Sequence, residues 1–139
     1  MLKLIRIIRP VSAYFLLLWM ITIILVSSTP NLPVLKIHTS KSEIRLDYFM
    51  HFCEYGFLAF MAYLAFAGRF FDVSLKKFSI ITILLLIFAV ADELHQKFIP
   101  GRTYNPRDLA GNFLGIFAAM VFSIIVFRRM SKTTSSNNF

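Results

Sequence analysis

A small set of polar side chains, set in or against long apolar runs, holds whatever chemistry this chain performs. Asp47, His51, Glu54 and Tyr55 occupy positions i, i+4, i+7 and i+8. At about 100° per residue these positions fall within an arc of roughly 100° on a helix, so they make one polar stripe. Glu54 lies about 10 Å along the axis from Asp47. Asp47 alone reads as a charge suited to a helix start, whereas His51 and Glu54 together read as an inward-facing stripe. A second cluster is Asp92-Glu93-Leu94-His95-Gln96. Asp92 and Gln96 are one turn apart, Glu93 is on the adjacent flank, and His95 is on the other side. Two consecutive acids at a helix C-terminus oppose the helix dipole and require nearby cations, for which Arg102 and Arg107 are the available residues. Asp108 and Asn112 follow, again one turn apart. Paired carboxylates with a histidine are suited to acid–base catalysis or to holding a divalent metal through oxygen and imidazole. An arginine beside carboxylates is suited to recognising phosphate and amine together.

The segments around these residues are built for a bilayer. Of 139 residues, 58% are hydrophobic and 16% charged, against about 25% charged in a soluble domain. Sixteen phenylalanines exceed what one small soluble core accommodates. Four apolar runs, at about residues 10–27, 47–68, 75–97 and 106–127, each approach the roughly 20 residues that cross the hydrocarbon core as a helix. Helices are required because every backbone amide in lipid must be satisfied internally. The expected fold is all-α: one domain over residues 1–130, a compact bundle of four transmembrane helices. The first run has a basic start but no A-x-A-like cleavage site after it, so it reads as a retained span and not as a signal peptide. The polar segment 131–139 reads as a disordered tail.

Charge gives the orientation. With the N-terminus inside, the inner segments hold nine basic residues: Lys3, Arg6, Arg9, Arg69, Lys76, Lys77, Arg128, Arg129 and Lys132. The outer loops hold six: Lys36, Lys41, Arg45, Lys97, Arg102 and Arg107. The positive-inside rule then places both termini in the cytoplasm and the chain in the cytoplasmic membrane as a multi-pass protein. The net charge of +8 flanks the apolar runs and forms no basic face interleaved with aromatics, so nucleic acid is not an expected partner. Cys53, the single cysteine, can form no internal disulfide and reads as a small buried or lipid-facing residue.

Local signals describe the connection between the last two spans. Pro100-Gly101 reads as a tight turn. Asn105-Pro106 reads as an N-cap followed by proline in the first helical position, and this puts Asp108 at the third, where a carboxylate also serves a cap. Asn112 has no such capping role. Gly111, Gly115 and Ala119 form a small-residue stripe for close helix approach.

Taken together, these segments resemble the VanZ-like family. Asp47-Tyr48-Phe49-Met50-His51-Phe52, followed by Tyr55, is similar to a D-K-x-x-H-F-x-x-Y signature, with Tyr48 where the family often has lysine. Residues 92–102, with Asp108, Asn112 and Gly115, are similar to D-E-x-x-Q-x-x-x-P-G-R followed by D-x-x-x-N-x-x-G. The resemblance implies a small multi-pass membrane protein with these motifs on its outer side. It also implies an association with tolerance of teicoplanin, a glycopeptide that targets cell-wall precursors.

Three functional readings stand at this point. The first is a cell-envelope protein whose site of Asp47, His51, Glu54, Tyr55, Asp92, Glu93, Gln96, Arg102, Asp108 and Asn112 binds a lipid headgroup or a peptidoglycan precursor. The second is a membrane enzyme acting on a lipid-linked substrate through the paired carboxylates and histidine. The third is a structural subunit holding a membrane-protein partner. No H-E-x-x-H, no G-x-S-x-G and no metal-ligand spacing is present, so neither a metal nor an organic cofactor is expected.

Overall fold

The computed structural model describes residues 2–31, 36–38, 43–45, 47–68, 71, 74–102 and 104–136. Lys41 and Arg69, which enter the charge count, and residues 137–139 of the polar tail lie outside them. Helix forms earlier than the apolar run suggests. α1 (Leu2–Ile8) leads through a 3-10 turn at Arg9–Val11 into α2 (Ser12–Ser27). Pro10 lacks an N–H and its ring crowds the preceding turn, and a short 3-10 segment absorbs that mismatch. The Ser12 hydroxyl donates to the Arg9 carbonyl at 2.6 Å and ties the turn together. A two-stranded antiparallel hairpin follows, β1 (Lys36–His38) and β2 (Glu43–Arg45), with Ile37 opposite Ile44. Then come α3 (Asp47–Ala65), α4 (Leu75–Gln96) and α5 (Pro106–Ser136). α5 runs on past residue 127, so residues 131–136 of the segment read as a disordered tail are helical here.

Among the described residues, three stretches are long and apolar enough to cross a membrane: Lys3–Ser27, Leu75–Gln96 and Pro106–Lys132. Their apolar side chains face outward, the reverse of a soluble protein. On α4 the exposed stripe is Ile80, Ile83, Leu84 and Ile87, at helical spacing. The buried stripe of the same helix is Phe78, Thr82, Leu85, Ala89, Asp92 and Gln96. Apart from Thr82 it is apolar until it reaches Asp92.

α3 differs in kind. It is 19 residues long, and the polar stripe of its first turns keeps it outside the set picked by length and apolarity. It packs against α2, α4 and α5, and Tyr55, Leu58, Ala59, Met61, Ala62, Tyr63 and Leu64 are all buried. One face of α3 thus meets its neighbours, while Phe49, Met50 and Phe57 on the other are exposed, and the protein-facing side can carry ionisable groups.

Glycine sets the closest approach. A Cβ on Gly115 would collide with the Phe52 carbonyl and lie 2.9 Å from the Gly56 nitrogen, and one on Gly111 would lie 2.8 Å from the Tyr48 carbonyl. The small-residue stripe of α5 therefore packs against α3, backbone to backbone, as expected of small residues at membrane helix contacts. At the other end of these helices the core is aromatic. Tyr63 stacks on Phe78 at 4.8 Å, Phe127 sits against Phe71 and Phe78, and Tyr63 shares a hydroxyl bond of 2.7 Å with Thr82. Arg9 closes that end, donating from Nε and Nη2 to the Ala67 carbonyl at 3.1 and 2.8 Å.

Candidate functional site

The close α3–α5 contact positions the site. Gly111 lies 3.3 Å, measured from a notional Cβ, from the His51 Cβ, and one residue later Asn112 reaches the imidazole. His51 Nδ1 and Asn112 Oδ1 are 3.0 Å apart. Because Oδ1 can only accept, Nδ1 carries the proton in this arrangement. The other ring nitrogen, Nε2, is 3.9 Å from Asp108 Oδ2. Protonation of that nitrogen would set an imidazolium against the carboxylate.

Asn105 joins this group to α4. Its Oδ1 accepts the Arg107 backbone N–H at 3.1 Å, as an N-cap does at the second helical position. Its Nδ2 donates to Asp108 Oδ1 at 3.1 Å. Its backbone N–H donates to Glu93 Oε1 at 3.0 Å. Asp108 is thus a capping residue and a neighbour of His51 at once, and the two readings of it hold together.

A second chain of bonds runs from α3 through α4 to the connecting loop. The Tyr55 hydroxyl donates to Asp92 Oδ2 at 3.0 Å, and Gln96 Nε2 donates to the same oxygen at 3.3 Å. Gln96 Oε1 in turn accepts from Arg102 Nη2. Glu54 is within electrostatic reach of His51, Asp92 and Arg102, and Glu93 of His51, Asp92 and Asp108. Four carboxylates therefore surround one arginine and one histidine. Asp92, Glu93, Gln96, Asp108 and Asn112 are buried, Tyr55 completely. Asp47 stands further out, half-exposed in the first turn of α3.

Two buried atoms have no hydrogen-bond partner among the described residues at this place, Glu93 Oε2 and Asn112 Nδ2. Leaving a buried polar atom unpaired costs about 1–3 kcal/mol, and these two are one acceptor and one donor. Among the described residues, no three His, Cys, Asp or Glu side chains are arranged to hold a metal ion.

Two polar residues close by in the sequence stand apart from this network. Arg107 is exposed. His95 points the other way and meets the Ser28 hydroxyl of α2 at 3.1 Å, as its place on the helix wheel implies. Sequence reasoning gave Asn105 only a capping role and missed its bond to Glu93. It also missed Trp19, whose Nε1 donates to the Glu54 carbonyl at 3.1 Å and anchors α2 beside the site. The connections at this end meet as well: Asn31 N–H donates to the Pro100 carbonyl at 3.2 Å. Gly101 has φ 76°, and a Cβ there would strike the Asn31 side chain. This left-handed position favours glycine.

Apolar, outward-facing helices around a buried polar network define a helical membrane protein with a polar interior at one end. The family described as VanZ/LLP1 matches residues 11–128, and the chain belongs to that family. The match takes in α2 to α4, most of α5 and every residue of the network. Comparison with curated proteins and with solved structures gives no match.

Proposed function

We propose that this VanZ-type protein crosses the cytoplasmic membrane four times, α3 being the fourth span, with both termini in the cytoplasm. On this reading residues 1–130 are one domain, and the polar network opens outward to hold the headgroup of an envelope lipid or cell-wall precursor. Binding there contributes to glycopeptide tolerance. The observation that supports it is the pair of unpartnered buried atoms, Glu93 Oε2 and Asn112 Nδ2, inside a cluster drawn from three helices. Arg102 would face a phosphate, and the carboxylates an amine or hydroxyl.

A structural role is the second reading, favoured by the Tyr55–Asp92–Gln96–Arg102 chain, which is satisfied within the protein. One substitution tests orientation and function together. Arg102→Cys in a Cys53→Ser background should react with an impermeant thiol reagent in intact cells and should lose the envelope phenotype at normal membrane insertion. Lys76→Cys in the same background should stay unlabelled. Labelling at position 76 and protection at 102 would reverse the orientation. A full phenotype in Arg102→Cys would remove the headgroup role.

A further inference from the structure

A groove of about 410 Å³ runs along the outer face of the bundle, away from the polar network. It is lined by Ala62 of α3 and Phe66 just after it, by Leu16 and Met20 of α2, and by the face of α4 from Lys77 to Phe88. Among the described residues, Lys77 is the sole ionisable one lining it. At its far end Phe88 lies against Tyr55, with ring centroids 6.2 Å apart, so the groove stops just short of the buried carboxylates.

Its length and charge specify an occupant. From Lys77 to Phe88 α4 rises about 16 Å, close to half of a hydrocarbon core about 30 Å thick. The groove therefore covers the depth of one leaflet. A slender hydrocarbon chain fits. Lys77, in the first turn of α4, lines the groove toward the end of the bundle where Arg9 bonds the Ala67 carbonyl. A lysine ammonium at the headgroup end of an apolar groove complements a lipid phosphate with net negative charge.

We infer that this groove is a binding site for one acyl chain of an anionic phospholipid, with the headgroup phosphate held at Lys77. The site is separate from the polar network and does not rest on the function proposed for it. Leu84 and Ile80 line the groove and are otherwise exposed, so enlarging them blocks it without disturbing the core.

The test uses the full chain, reconstituted in vesicles of equal phosphatidylglycerol and phosphatidylcholine. After brief detergent exchange, native mass spectrometry reads the retained lipid. The wild type should hold one phospholipid, with phosphatidylglycerol favoured about fivefold, the effect of one cation at the membrane surface. Lys77→Gln should even the ratio. Leu84→Trp should lower total occupancy several-fold at an unchanged melting temperature, and Ile80→Trp serves equally if that variant folds poorly. Undiminished lipid in both tryptophan variants would overturn the assignment, as would an unchanged preference in Lys77→Gln. So would a lipid lost on Arg102→Ala and kept in Leu84→Trp, because it would belong to the polar network. A dimer that only the tryptophan variants dissolve would make the occupant a second copy and overturn it too.

Discussion

Gly115→Leu should abolish the folded bundle in detergent, or lower its stability by about 3 kcal/mol, at the upper end of the usual cost of overpacking. The groups in the way are the Phe52 carbonyl and the Gly56 nitrogen, which are backbone atoms of a helix and cannot rotate aside. Relief requires α3 and α5 to separate. That separation would also draw His51 away from Asn112, now 3.0 Å distant, so packing and site should fail together. Gly115→Ala should show a smaller loss of the same kind. Fluorescence-detected melting of the purified variants checks both. An unchanged profile for Gly115→Leu would mean that this face of α5 looks onto lipid.

Asp92→Leu should cost about 2–4 kcal/mol, because it strands the Tyr55 hydroxyl and Gln96 Nε2, both now donating to one buried oxygen. Each buried donor left unmade carries a penalty of about 1–3 kcal/mol. Adding Tyr55→Phe removes one of those stranded donors, and apolar replacement of both partners can approach neutrality. The double variant should therefore be more stable than Asp92→Leu alone, a non-additivity readable in the same melting assay. If the two changes add, the Tyr55–Asp92 bond carries no coupling and Asp92 is held by other contacts.

Much of this arrangement is legible in the sequence, because helical spacing names faces. The i, i+4, i+7, i+8 stripe puts His51 and Tyr55 on one side of α3, and the structure gives both of them partners on neighbouring helices. The same wheel puts His95 on the flank away from Glu93, and His95 does turn to Ser28. Spacing says nothing of partners on other elements, which explains the gaps. That Asn105 would bond Glu93, twelve residues back, depends on how the 98–105 connection folds over α4. That Arg102 and not Arg107 would join the network depends on the same turn. Element ends are less legible for a different reason. Apolarity marks where lipid begins, whereas helix hydrogen bonding continues into polar sequence, so α5 reaches Ser136 and α1 starts at Leu2. The hairpin at Lys36–His38 and Glu43–Arg45 offers only three alternating residues per strand, too few to separate it from a loop. The polar character of α3 has the most consequence. Its apolar run is long enough to read as a span, yet its polar stripe keeps it out of the set of membrane-capable helices, and its packing against α2, α4 and α5 explains how Glu54 and His51 are tolerated.

Asn112→Leu tests the account most directly, because Asn112 is fully buried and its Nδ2 has no partner among the described residues. Leucine is close in size and removes that stranded donor while giving up the bond to His51, so stability should change by less than about 1 kcal/mol. A ligand using the donor should be lost. The measurement is mass spectrometry of the lipids and precursors that co-purify with the wild type and with Asn112→Leu, beside the melting temperature of each. The account predicts a species that the wild type retains and the variant loses at nearly unchanged melting temperature. An identical set of bound species in both proteins, with a fall in the melting temperature of the variant, would contradict it and leave the network as internal scaffolding.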